Sequence, residues 1–367
     1  MNRDFSNVKR IVIKIGTNLL STDNGVNVAF MEKIVQEIHM LTKQGYQPLI
    51  VSSGAIGMGA KELGYTRRVQ TIVKRQAFAS IGQPLLMHNY RLLFSAYGHV
   101  VSQILLTRSI LDNRKSFLNL KNSVEALLDM GVIPIFNEND SISTDEIGTA
   151  FGDNDTLSAL IASKVDADLL IILSDVDGLY NGDPQHDPEA ELIHYIEEID
   201  DRVLSWASGA GSTFSTGGMR TKLTAAKISS TAGCGSIIAK GTEPQVLHRI
   251  LNGENIGTYF HPEKRMSQRG RWILQSSSTG KIVIDPGAIA ALKRHKSLLP
   301  SGIIRVEGIF DRGTVVMIND IAKAVPSFNS REIEDLIGLH SSDIRERIGS
   351  NRRDVIARPE DIVFLEK

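Results

Sequence analysis

Cysteine is nearly missing from this chain: Cys234 is the one cysteine in 367 residues. An internal disulfide is excluded, and no Cys/His grouping has the spacing of zinc ligands. A reducing compartment suits such a chain, so the cytoplasm is the expected location. Long apolar runs are missing too, since stretches such as Leu169 to Leu173 fall far short of the roughly 20 residues that a membrane-spanning helix needs. The first ten residues are polar and do not read as a targeting segment. No sign of charge dominates: 41 Lys and Arg face 42 Asp and Glu, so there is no global pull toward nucleic acid or anionic lipid. Three motifs are absent as well. Without G-x-x-x-x-G-K-[ST] the chain is no P-loop NTPase. Lack of G-x-S-x-G argues against a serine hydrolase, and lack of G-x-G-x-x-G in the first βα unit argues against a dehydrogenase.

What is present is an ordinary folding composition, with 42% hydrophobic and 23% charged residues, which excludes disorder and coiled coil. The length suggests two domains or three. Charge divides unevenly along it. Residues 1–260 carry 23 Lys and Arg against 28 Asp and Glu, whereas residues 261–367 carry 18 against 14. The border, His261 to Arg271, is polar, basic and without periodicity, as in a linker. The expected organisation is a domain over 1–260, a linker over 261–275 and a second domain over 276–367.

The first part alternates strand and helix signals. Arg10 to Ile15, Pro48 to Val51, His99 to Leu106, Val132 to Phe136, Asp168 to Leu173 and Ser236 to Ala239 read as strands. Between them, Val28 to Leu41, Arg75 to Ser95, a stripe from Phe117 to Leu128, Thr156 to Lys164 and Arg220 to Ala232 read as helices. Such alternation predicts an α/β fold, a mostly parallel sheet sandwiched by helices. The last hundred residues instead show short β-branched segments (Lys281 to Asp285, Ile303 to Val306, Thr314 to Ile318) between Gly-containing turns, with only Ala288 to Lys296 helical. They predict a small β-barrel-like domain.

Ligands of open α/β sheets bind where strands end. After the first strand comes Lys14-Ile15-Gly16-Thr17-Asn18, and after the second Ser52 to Gly59. Lys14 stands in an otherwise apolar strand, where either an anionic ligand compensates it or it reaches water at the strand's end. The small residues Ser52 to Gly59 either let backbone N–H groups approach an anion or serve a tight turn. Asn137-Glu138-Asn139-Asp140, Gly152-Asp153-Asn154-Asp155 and Ser174-Asp175-Val176-Asp177 follow later strands; these carboxylates either bind a metal, hold lysines or simply cap turns. Ser215 to Lys222 puts two glycines and a lysine at a helix start, suited to phosphate oxygens, the alternative being a surface loop and an ordinary cap. His39, His88 and His99 read as surface or packed residues. With no base beside Cys234, elimination leaves phosphoryl transfer.

The segments IVIKIGTN, VSSGAIGMG, NEND, FGDND, LSDVDGLY and STGGMRTK, in this order, resemble the amino acid kinase family over nearly the whole chain, and GKIVIDPGAIAAL with SLLPSGIIRVEGIF resembles the PUA domain. The resemblance implies transfer of a phosphoryl group from ATP, with Mg²⁺, to the side-chain carboxylate of L-glutamate, the first step toward proline. By family position Lys14 and Lys222 would contact ATP phosphates and Asp155 would orient the two lysines. Ser53, Asp140 and Asn154 would bind glutamate. Ser174, Asp175 and the run Thr216, Gly217, Gly218, Met219, Arg220, Thr221 and Lys222 would line the nucleotide site, and no residue is expected to be a resident metal ligand. Relatives acting on acetylglutamate, aspartate or UMP share the sheet and are the alternative within the family. The resemblance further implies a homo-oligomer, dimer or tetramer. It also implies proline as a feedback inhibitor, whose loop (Ile147 to Phe151) is slightly longer here than in some relatives. The PUA-like tail, with Lys293, Arg294 and Lys296, raises RNA binding as a different class of activity, against which its modest charge speaks.

Overall fold

The structure is a computed structural model, and it describes residues 3–22, 25–65, 69, 71–142, 154–184, 186–207, 218–339 and 355–365. The chain forms two compact units, one of residues 1–111 with 115–265, the other of residues 112–114 with 266–367.

The first unit is built on an eight-stranded sheet. Its strands are β1 (Arg10–Ile15), β2 (Gln47–Val51), β3 (Val101–Leu106), β4 (Ile133–Glu138), β5 (Leu169–Ser174), β6 (Tyr195–Ile196), β7 (Gly235–Lys240) and β8 (Thr258–Phe260). The order is β6-β8-β7-β5-β1-β2-β4-β3, parallel throughout except for the β7–β8 pair. The predicted α/β fold is what forms. Helices α1 (Val28–Lys43), α2 (Ala55–Glu62), α3 (Ile72–Ser95), α4 (Arg114–Asp129), α5 (Asn154–Lys164), α6 (Met219–Thr231) and α7 (Val246–Leu251) follow the strands.

Alternation along β1 decides where the chemistry goes. Ile11, Ile13 and Ile15 point into a core with Met31, Ile34 and Ile38 of α1 and Leu86 and Phe94 of α3. Val12 points to the opposite core, with Leu157 of α5 and Leu223 of α6. A strand's side chains alternate between faces, so Lys14 shares the face of Val12 and looks toward α5 and α6.

Helices α2 and α3 touch through glycines. A Cβ on Gly59 would lie 1.9 Å from the carbonyl oxygen of Phe78, and one on Gly82 would lie 1.8 Å from that of Ala55. Neither clash involves a side chain that could swing away, so a methyl group would force the helix backbones apart. Gly82→Ala is expected to cost at least about 2 kcal/mol, by the overpacking of a close-fitted contact. Urea denaturation of the variant beside the parent checks this.

The second unit holds a five-stranded mixed sheet. Its strands are β9 (Lys281–Ile284), β10 (Ile303–Glu307), β11 (Val316–Ile318), β12 (Ala322–Ala324) and β13 (Ile362–Phe364), in the order β10-β9-β11-β12-β13. Among the described residues three α-helices accompany them: α8 (Gln268–Gln275), α9 (Pro286–Lys293) and α10 (Ser330–Leu336). Two of these correct the sequence reading. The stretch 268–275, read as linker, is a helix capped by Ser267, and its Trp272 is buried with Nε1 donating to the Asp112 carbonyl at 3.0 Å. Helix α10 carries a full capping box between Asn329 and Glu332, a local signal present in the sequence but not used.

No helix among the described residues is long and apolar enough to cross a membrane.

Candidate active site

Three buried charged groups meet at the ends of β1, α5 and α6. Asp155 is the second residue of α5 and fully buried. Lys14 Nζ lies 2.6 Å from its Oδ1, and Lys222 Nζ lies 3.1 Å from its Oδ2. Thr221 Oγ1 lies 3.1 Å from the same Oδ2 and 2.8 Å from the Gly218 carbonyl, its one proton serving either acceptor, and so ties the start of α6 to α5. Lys14 does not reach water: it is 3% exposed, and the partner beside it is the carboxylate of Asp155, which neither reading of the strand had named. Two cations thus share one buried carboxylate, and the N-terminus of α5, where that carboxylate sits, adds backbone donors that favour an anion.

Gly16 lies beside this trio. Its N–H donates to the Leu173 carbonyl at 3.1 Å, and a Cβ there would lie 3.2 Å from that oxygen and 3.9 Å from Lys14 Nζ. Beyond it, Ser174 Oγ donates to Asp175 Oδ1 at 3.0 Å and Asn18 Nδ2 donates to Asp175 Oδ2 at 2.8 Å. Burial would raise the Asp175 carboxyl, but these hydrogen bonds and the Lys222 charge outweigh it and hold the group below the usual carboxylate range. Asp177 pairs with Lys240 at 3.2 Å.

One residue before Asp155, Asn154 faces a different cluster. Its Nδ2 lies 2.7 Å from the Ser52 carbonyl, 3.0 Å from Ser53 Oγ and 3.0 Å from Asn137 Oδ1, three acceptors that share its two protons. Ser52 Oγ in turn meets the buried Tyr90 hydroxyl of α3 at 3.0 Å. Asp140 follows β4; burial pushes its carboxyl up to about 6, against a smaller opposing pull from Arg75. The first residue of α5 thus serves an amide and hydroxyl cluster while the second serves the lysines, so two sites are joined across one peptide bond.

Among the sequence-derived site residues, Lys14, Asp155 and Lys222 come together, Ser53 and Asn154 come together, and Ser174 and Asp175 are adjacent. Gly218, Met219, Arg220 and Thr221 open α6, with Gly218 as its N-cap. Thr216 and Gly217 lie outside the described residues, as do Asp153 and the 147–151 loop. Ser52 to Gly59 divides in use: Ser52 and Ser53 face the amide cluster, Gly54 adopts the left-handed conformation at φ 92°, and Gly59 serves helix packing. Of the readings open for the carboxylates, holding lysines describes Asp155 and Asp177. Among the described residues, no group of three or more His, Cys, Asp or Glu side chains gathers as a metal centre. His39 and His99 pair with each other at 2.9 Å, half-buried. Gln83 and Tyr90 were missed, and Asn18 was named only within its segment. Gln83 and Tyr90 share the buried face of α3 with Phe78, Ala79 and Leu86, and a glutamine on an apolar face was the available signal.

The chain is similar to known proteins along its length. Residues 9–240 match the model of the amino acid kinase family, and residues 280–348 match that of the PUA domain. The chain is 43% identical to a glutamate 5-kinase of Methanosarcina mazei over 376 aligned positions, covering 99% of this chain and 98% of the relative. It is 44% identical to a glutamate 5-kinase of Geobacter metallireducens over 367 positions, 98% of each chain. Among solved structures, carbamate kinase from Giardia lamblia bound to AMP-PNP superposes with a TM-score of 0.51 at 18% identity, covering 70% of this chain and 100% of that one, a likeness of fold.

Proposed function

The chain belongs to the amino acid kinase family, and from that membership and its end-to-end likeness to glutamate 5-kinases we infer that it phosphorylates the side-chain carboxylate of L-glutamate with ATP. This is the glutamate 5-kinase reaction, the first step of proline biosynthesis. The observation that carries the site assignment is the buried Lys14–Asp155–Lys222 trio, with Asn154 opening a second cluster next to it in sequence.

A glutamate side chain, with a pKa of about 4.3, is ionised at neutral pH and needs no general base. The work left to the protein is to bring two anions together and to stabilise charge on the transferred group. We assign Lys14 and Lys222 to the phosphate oxygens, with Asp155 holding both ammonium groups at a fixed spacing. Ser174, Asp175 and the segment from Thr216 to Lys222 line the nucleotide. Ser53, Asp140 and Asn154 hold glutamate, Asp140 through its α-ammonium. The donor set suits Mg²⁺ carried on the nucleotide, because Mg²⁺ keeps water and phosphate oxygens as ligands and needs few carboxylates from the protein. When bound it supplies positive charge to the phosphate oxygens. A cytoplasmic homo-oligomer, dimer or tetramer, with proline as end-product inhibitor, completes the reading.

Trapping the acyl phosphate with hydroxylamine tests the reaction. Hydroxamate should form with ATP and L-glutamate and not with acetylglutamate or aspartate, while UMP should give no ADP release; absence of a glutamate-dependent hydroxamate would refute the reading.

Asp140 gives a pH signature. Its folded pKa of about 6 lies above the usual 3.8, so between these values the folded chain holds a proton the unfolded chain has lost. Ionised Asp140 therefore costs stability at neutral pH, and that cost is relieved as pH falls through 6. Binding runs the opposite way, since only the ionised form attracts an ammonium group. The kcat/KM for glutamate is expected to drop about tenfold per pH unit below 6, while kcat changes less because bound ammonium keeps Asp140 ionised. Asp140→Asn should lower kcat/KM and flatten its profile between pH 5 and about 7, read from steady-state rates at several pH values.

A further inference from the structure

Three amide side chains run in a row from α3 to the start of α5. Gln83 is 8% exposed and Asn137 is 1% exposed. Asn137 Nδ2 donates to Gln83 Oε1 at 2.8 Å, and Asn137 Oδ1 accepts from the Glu138 backbone N–H at 3.0 Å and from Asn154 Nδ2 at 3.0 Å. The chemistry assigned above uses neither Gln83 nor Asn137.

An amide side chain turned end for end keeps its shape and exchanges donor for acceptor, so its sense must be imposed by its neighbours. Two backbone groups impose it here. The Glu138 N–H only donates, so the oxygen of Asn137 faces it. The Ser52 carbonyl only accepts, so the NH₂ of Asn154 faces that. With both senses set, the NH₂ of Asn137 lies against α3, where it is buried and requires an acceptor. Gln83 Oε1 is that acceptor. Without it, the buried N–H of Asn137 is relieved by rotation, and rotation gives up the contact by which Asn137 steadies Asn154.

We propose that Gln83 is a positioning residue for the glutamate site. Its side-chain oxygen completes the pairing of Asn137 in the sense that the Glu138 N–H sets, and Asn137 together with the Ser52 carbonyl then holds Asn154 so that Asn154 Oδ1 stays outside the network as an acceptor for the substrate's α-ammonium group. A carboxylate presented to that oxygen is repelled, so the relay also selects which end of the amino acid enters. The inference rests on the reading of Asn154 as a glutamate ligand.

Three variants of the full-length chain test it, with KM for glutamate and for ATP and kcat measured separately. Gln83→Met keeps length and removes the acceptor; glutamate KM should rise about tenfold, with ATP KM and kcat within about twofold of the parent. Gln83→Glu retains an acceptor oxygen whether or not it is protonated, so its glutamate KM should stay within about threefold. A Met variant with parental KM overturns the proposal, and so does an equal rise in both variants, which would mean that size or polarity rather than an acceptor matters. Should the Met variant fail to fold, a raised glutamate KM in Gln83→Glu alone is sufficient to overturn it. Asn154→Ala separates the two levels. Unchanged glutamate KM there refutes the assignment of Asn154 itself, whereas a raised KM beside a parental Gln83→Met refutes only the relay.

Discussion

Lys222→Ala is expected to lower kcat by roughly 10²–10³, the usual loss when one preorganised charge-stabilising donor is removed from a site of this kind. The fold should survive. Removing Lys222 leaves the Lys14–Asp155 ion pair at 2.6 Å in place, so the buried carboxylate keeps a cation. The loss should therefore fall on turnover and leave the urea midpoint close to the parent's, which distinguishes a lost catalytic contact from a collapsed site. Lys222→Arg is not expected to restore the rate. A guanidinium is planar and forked, and it would take both oxygens of a carboxylate where the ammonium takes one and leaves the other to Lys14. Near-normal turnover in Lys222→Ala, measured by hydroxamate formation at saturating ATP and glutamate, would reject the assignment.

The same lysines show what was legible in the sequence and why. Lys14 was visible because it interrupts an apolar strand, and Lys222 because glycines precede it at a helix start. Each is a local anomaly, and the alternating faces of β1 then place Lys14 opposite α5 and α6 without further information. The relay through Gln83 was not legible in that way. Its meaning depends on Asn137 and Asn154, 54 and 71 positions away in the chain, and on the glycine contact between α2 and α3 that brings α3 close. The second unit repeats the lesson. Strand β12 is Ala-Lys-Ala, with no β-branched residue, and it exists because β11 and β13 pair with it on either side. Helix α8 was hidden because the basic residues before Trp272 dominate the composition of its window, while the burial of one tryptophan side chain outweighs them energetically.

Asp155→Asn tests the idea that Asp155 stands where it does to hold two cations ready for a phosphate. The substitution keeps shape and removes the carboxylate that Lys14 and Lys222 both pair with. Breaking a buried ion pair by deleting one partner costs about 3–5 kcal/mol, most of it the desolvation of the charge left behind. A loss of that size is expected here in the absence of ligand. Anions should then restore much of it, because a bound polyphosphate supplies the charge that the carboxylate no longer does. The stabilisation by a non-hydrolysable ATP analogue, read as the rise in melting temperature at fixed ligand concentration, should be larger in the variant than in the parent if the phosphates meet these lysines. Turnover should still fall, since Lys14 and Lys222 are then spaced by the ligand and no longer by a fixed carboxylate. A variant as stable as the parent without nucleotide would mean that the lysines do not depend on Asp155. A variant destabilised but indifferent to the analogue would mean that the phosphates bind elsewhere.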